Sequence, residues 1–158
     1  AVKKSSTCNR IVRLTGKGED PWRIVAILIN LLGGMAKAWN YEGETLLRQS
    51  NVDYTIIRPG MLVQSCPTGA VLSLRDNGSD LPTSPVRYTS ISSLCVDVLN
   101  YDNTRKATLC AMNVPPNKGQ TLYAPLLERV RPDTRKFPDD LMRKHRLAVG
   151  VGGGVLVV

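Results

Sequence analysis

The chain has 158 residues, of which 42% are hydrophobic, 22% charged and 5% aromatic, a balance that fits one globular domain and excludes a disordered or fibrous chain. Its formal net charge is +8, and residues 129–146, "RVRPDTRKFPDDLMRKHR", hold seven Lys/Arg against three Asp, half of that excess. A basic tail suits an anionic membrane surface or an acidic partner. Nucleic acid is the weakest option and is not expected as a partner, because the charges are not regularly interleaved with base-stacking aromatics.

In chain order, residues 9–14, "NRIVRL", read as a short strand, and the loop "TGKGEDP" follows. Gly16-Lys17-Gly18 is read there as an exposed loop after a strand, since a phosphate loop needs a further glycine and a strand–helix setting. Residues 23–32 are apolar on nearly all faces and too short to span a bilayer, so a buried helix is expected, with an interfacial segment as the alternative. Gly33-Gly34 interrupts it, and a second helix is predicted through residues 35–49. Its apolar stripe is expected at Ala38, Trp39, Leu46 and Leu47, with Glu42, Glu44, Arg48 and Gln49 on the polar side. Ser50-Asn51 ends that helix, and "VDYTIIR" reads as a β-branched strand stopped by Pro59-Gly60. Strand, crossover helix, strand is the signature of a parallel α/β sheet.

Beyond it, "AVLSLRDNGSDLP" reads as a short strand with an Asn-Gly turn, and "SISSLCVDVLN" as a small helix capped by serine. "KATLCAMNV" is a further buried strand ended by Pro115-Pro116, and residues 120–130 are predicted as a last helix with Pro125 near its start. Three segments result: a domain over residues 1–128, a basic linker over 129–146, and an apolar tail over 147–158. The tail, "LAVGVGGGVLVV", follows RKHR and resembles the first half of a membrane span with its positive flank retained. Both ends read as cut. Cys8, Cys66, Cys95 and Cys110 are too widely spaced for a zinc ribbon or a thioredoxin-type site, and reduced, mostly buried thiols are expected. With His145 as the single histidine, a His-based triad or multi-His metal site is set aside, and no metal site is predicted.

"LLRQSNVDYTIIRPGML", preceded by an acidic residue one helical turn earlier, resembles the atypical short-chain dehydrogenase/reductase families. These include NmrA-like proteins and organelle domains allied to complex I assembly factors. The later "YTSISSLCVDVLN…KATLCAMN" follows the same pattern, and the similarity covers residues 9–114. The run "LTGKGEDPW…INLLGGMAKAWNYEGE" looks like versions found in algae with complex plastids. The resemblance implies the later portion of an α/β Rossmann-like domain, with a parallel sheet, crossover helices and a basic C-terminal extension. It also implies NADP or NAD as cofactor. Enzymes of the family use a Tyr and a Lys four residues later on the crossover helix, the Tyr handling the carbonyl proton and the Lys lowering its pKa. With Glu44 as the helical acid, those positions are Ala36 and Asn40, which have neither the proton nor the charge for the task.

The resemblance implies cofactor contacts at Thr15 and Gly16 at the end of one strand, at Pro59, Gly60 and Met61 at the end of the next, and at Asn40 through a ribose hydroxyl. The alternative is that Pro59-Gly60 merely ends a buried strand while Arg58 pairs with a nearby carboxylate. The expected function is a non-catalytic accessory subunit or assembly factor of an organellar membrane complex. The expected location is the chloroplast stroma or thylakoid surface, or alternatively the matrix side of a mitochondrial membrane. Partners are then a membrane protein complex and a membrane surface met through the basic tail and apolar C-terminus. The competing expectation is an NADP(H)-dependent reductase or isomerase using Tyr41 or Tyr54, or an NADPH-binding redox sensor.

Overall fold

The structure, a computed structural model, describes residues 8–66, 70–75, 77–78, 84–115, 119 and 122–156. It divides into two compact units, a sheet unit (Ala1–Lys17 with Asn51–Arg135) and a helical unit (Gly18–Ser50 with Lys136–Val158).

The sheet unit is built on strands β1 (Arg10–Leu14), β2 (Asp53–Pro59), β4 (Val71–Arg75) and β6 (Ala107–Val114), in the spatial order β1-β2-β6-β4. β1, β2 and β6 run parallel, with Leu14 opposite Ile57 and Pro59 opposite Ala111, and β4 closes the edge antiparallel to β6. This is the Rossmann-like parallel arrangement expected from the strand–helix–strand order. β2 and β6 are buried on both faces, which is why "YTIIR" and "ATLCAM" lack the in–out alternation of a half-exposed strand. A small parallel pair, β3 (Met61–Val63) with β5 (Pro85–Arg87), sits beyond the end of β2. Helices α3 (Tyr88–Asp97) and α4 (Ala124–Leu127) complete the unit. Ile57, Leu109, Ile91, Leu94 and Leu127 share its core, each contributing about 1.5–3 kcal/mol by leaving water.

Several expectations change here. The helix predicted to start on a serine cap begins at Tyr88, and its cap position, Arg87, makes no side-chain cap bond. The helix predicted over residues 120–130 is the four-residue α4, with Pro125 in its first turn as expected; Gln120 and Thr121 lie outside the described residues, as does Pro116. The Asn-Gly turn is present, with Asn77 and Gly78 both at positive φ. It does more than reverse the chain: the Gly78 carbonyl accepts a hydrogen bond from the buried Arg58 guanidinium at 3.2 Å. Residues 129–135, predicted as linker, are fastened to the sheet, with Val130 buried and Asp133 bonded to β2 and β6. None of the four cysteines is in a disulfide; only Cys110 is buried, Cys66 and Cys95 are half-buried and Cys8 is exposed, fewer buried thiols than expected. Burial raises the Cys95 thiol pKa.

The helical unit contains α1 (Ile24–Leu32), α2 (Ala36–Arg48) and α5 (Leu141–Leu156). A single helix thus runs across the predicted boundary between basic linker and apolar tail. Among the described residues, no single helix is long and apolar enough to cross a membrane. Met35, in the left-handed region, turns the chain between α1 and α2, which are bent by 96°.

α2 is rotated relative to its expected stripe. Trp39 and Leu46 are exposed, while Tyr41 and Glu44 are buried beside Ala38 and Leu47. Two interactions select this face. Tyr41 stacks on the His145 ring with centroids 5.6 Å apart, and Glu44 binds Arg48 at 3.1 Å, with that guanidinium 3.6 Å above the Phe137 ring. A paired carboxylate and a stacked phenol tolerate burial that an unpaired polar group does not.

His145, in the segment expected as a basic linker, is fully buried, and its Nδ1 accepts from the Asn30 amide at 3.0 Å. Burial lowers the imidazole pKa, Lys37 lowers it further and Asp20 opposes the shift. As pH falls, the unfolded chain therefore takes up this proton first, near its ordinary value of about 6.5. Stability is full above that value and declines through the window down to the lowered native pKa. Urea midpoints should fall between about pH 7.5 and about pH 5.5, and His145→Asn should flatten that slope. An equal slope in the variant would assign the acid sensitivity to other groups.

Candidate functional site

In an open α/β sheet, ligands sit outside the carboxyl ends of the parallel strands, where backbone groups have no further ladder partners. β1 ends at Leu14, and the Thr15 N–H extends its pairing by donating to Ile57 O at 3.0 Å. Gly16 follows, and a Cβ built there meets no atom within 4 Å. On the neighbouring strand, Pro59 is the last residue of β2 and the Gly60 N–H donates to Ala111 O at 2.9 Å. Met61 opens β3 with its side chain exposed. Thr15, Gly16, Pro59, Gly60 and Met61 therefore lie together on one edge of the sheet unit. Asn40 is a half-buried residue of α2 in the helical unit.

The open space at Gly16 suits a group that must approach the backbone closely, as a dinucleotide does. Lys17 is buried rather than on the exposed loop expected, and Gly18 has a φ of 93°.

Gly60 is more than a strand terminator. A Cβ there would stand 2.0 Å from the Ser84 carbonyl oxygen, so β2 and the segment leading into β5 touch backbone to backbone. Ser84 is held in turn by its hydroxyl, which donates to Asn113 O at 2.7 Å. The Asn113 amide donates to Cys66 Sγ at 2.8 Å. Ser84 and Asn113, which buttress this edge, went unnoticed in the sequence, and Cys66 was read only as a reduced thiol. The one signal was an amide in the otherwise apolar run "ATLCAMNV".

The two tyrosines considered as replacement acid–base groups are both committed elsewhere. Tyr41 is 1% exposed and lies flat against His145. Tyr54 is the second residue of β2, and its hydroxyl donates to Asp133 Oδ2 at 3.1 Å. Five residues of extended chain, about 16 Å, separate it from Pro59 at the ligand-binding edge. Ala36 is exposed at the start of α2.

Comparison with solved structures supports the fold. The chain is similar to the oxidoreductase ylbE from Lactococcus lactis, at 18% identity and a TM-score of 0.51 over 74% of this chain and 49% of that one. It is also similar to a short-chain dehydrogenase/reductase from Veillonella parvula DSM 2008 in complex with NADP, at 17% identity and a TM-score of 0.51 over 72% of this chain and 54% of that one. The chain thus spans about half the length of these proteins. Comparison with curated proteins finds no significant match. A family model described as NAD(P)H-binding matches residues 10–102. That match covers more than half of the sequence and contains β1, both crossover helices, β2 and α3, so the chain belongs to the NAD(P)H-binding family.

Proposed function

We propose that this domain holds NAD(P) at the edge formed by β1 and β2 without turning it over, as an accessory subunit or assembly factor of an organellar membrane complex. The observation that carries this reading is the engagement of its candidate acid–base groups. Ala36 and Asn40 stand where the resemblance puts the Tyr and Lys, Tyr41 is packed under His145, and Tyr54 is bonded to Asp133. A nicotinamide cofactor supplies a hydride acceptor or donor when bound. Thr15, Gly16 and the Pro59–Gly60–Met61 turn would hold it on the sheet unit. Under this reading the chain corresponds to the later portion of a complete domain, in line with the share of its structural neighbours that it spans. The chloroplast stroma or thylakoid surface, ahead of the mitochondrial matrix side, follows from the resemblance at residues 14–44 and is tested by locating a tagged full-length protein.

Native mass spectrometry with NADPH tests the reading directly. One nucleotide per chain and no turnover of carbonyl substrates is the expected result. Turnover that Tyr41→Phe abolishes would replace it with the reductase reading. Gly16→Leu should weaken NADPH binding roughly tenfold or more by filling the open space, with stability within about 0.5 kcal/mol of wild type. Unchanged affinity in that variant would move the nucleotide away from this edge.

A further inference from the structure

α1 is amphipathic in the reverse of the usual sense. At about 100° per residue, Ile24, Val25, Leu28, Ile29, Leu31 and Leu32 form one continuous arc, and all six are exposed, Leu32 by 83% and Val25 by 59%. The opposite, buried face carries Ala26, Ile27 and the polar Asn30. This overturns the expectation of a buried helix, and the cause is Asn30. Its amide donates to His145 Nδ1 at 3.0 Å, and its carbonyl accepts from the Ala38 N–H at 3.2 Å. Rotating the aliphatic arc inward would break both bonds and turn the buried Asn30 outward, so these contacts hold the arc facing out.

We infer that this arc docks on a lipid surface, lying in the headgroup–acyl boundary rather than crossing it. Nine residues make about 14 Å of helix, half of a bilayer's hydrocarbon thickness. The arc offers no hydrogen-bonding side chain, whereas protein–protein interfaces carry about one hydrogen bond per 100–200 Å². Lipid tails ask for none, provided the backbone is closed. At the C-terminal end of α1 three carbonyls meet this condition, as Gly33 N–H donates to Ile29 O, Met35 N–H to Asn30 O, and Ala36 N–H to Gly33 O. Trp22 just before α1 and Trp39 in the first turn of α2 are both more than half exposed, the residue type that settles at headgroup level. Charge and area separate a membrane from a second copy of this chain. A net charge of +8 is attracted to anionic headgroups and repelled by an identical molecule. A helix about 14 Å long and 10 Å wide also falls well short of the roughly 800 Å² per partner that a stable dimer buries.

The inference is independent of the nucleotide reading, because vesicle binding and NADPH binding are measured separately on the same protein. The test is flotation of the full chain with phosphatidylcholine–phosphatidylglycerol vesicles, together with Trp22 emission in a Trp39→Phe background. Flotation with a blue shift of Trp22 is expected. Leu28→Glu with Leu32→Glu should lower partitioning by roughly tenfold or more for each leucine, with far-UV circular dichroism and NADPH binding unchanged. Leu28→Ser with Leu32→Ser gives the same reading without added charge. Wild-type protein left at the bottom of the gradient with unshifted Trp22 overturns the inference. So does flotation that both leucine pairs leave intact, which would assign binding to charge alone. A dimer in solution that the leucine variants dissociate, with no flotation, would assign the arc to a second copy.

Discussion

Gly60→Ala is expected to destabilise the protein by about 3 kcal/mol or more, at the upper end of the range for overpacking. Most added methyl groups are accommodated by a rotamer change next door. Here the atom in the way is backbone, the Ser84 carbonyl oxygen at 2.0 Å, with the Ser84 carbonyl carbon at 3.1 Å. Neither side can yield cheaply. The Gly60 N–H is bonded to Ala111 O on β6, and Ser84 is held through Asn113 and leads directly into Pro85, which pairs with Met61. Relief therefore requires parting β3 from β5 or pulling Gly60 off β6. In thermal unfolding the midpoint should drop by about 6 °C or more, and NADPH binding should weaken with it, because the turn that moves is the candidate cofactor edge. Gly16→Ala is the control, since its Cβ meets nothing within 4 Å. If both alanine variants unfold like wild type, the close approach at Gly60 is wrong.

The parts of this molecule that could be read from its sequence are those whose physics is local. "YTIIR" and "ATLCAM" became β2 and β6 because β-branched and apolar runs bounded by turn residues fit strands covered on both faces. Pro59-Gly60 was legible as a stop, and its position beside Thr15-Gly16 follows once β1 and β2 are parallel. What escaped was set by partners far along the chain. Asn30 turns α1 outward through His145, 115 residues away, and a helix apolar on nearly all faces gives no periodicity from which to choose its buried side. Tyr41, outside the expected apolar stripe, is held inward by stacking on the same histidine. Gly60 could be seen as a turn residue but not as the contact point for Ser84. The basic stretch after residue 128 read as a solvated linker because its charge count conceals Val130 and Asp133, whose roles depend on the sheet they meet.

Asp133 gives the second large effect. Its Oδ1 accepts from the Thr108 N–H at 2.8 Å, and its Oδ2 accepts from the Thr108 hydroxyl at 2.7 Å and from the Tyr54 hydroxyl at 3.1 Å. Its own N–H donates to Lys106 O at 2.8 Å. One carboxylate thus ties residues 129–135 to the amino ends of β2 and β6, with Thr108 and Tyr54 both buried. Asp133→Ala removes the acceptor and leaves these donors without it, which costs about 1–3 kcal/mol for each buried donor not rescued by water. A loss of about 3 kcal/mol or more in urea unfolding is expected, with Asp133→Asn intermediate because it keeps one acceptor oxygen. Tyr54→Phe alone should cost about 1 kcal/mol, and much less when Asp133 is already alanine, because the two groups share one interaction. Full additivity in that cycle would dissolve the cluster. The same variants bear on function: Asp133→Ala releases the Tyr54 hydroxyl without moving it to the ligand-binding edge. If turnover of carbonyl substrates stays absent while NADPH still binds, Tyr54 is a structural residue, and the carboxylate that fastens it belongs to the fold rather than to chemistry.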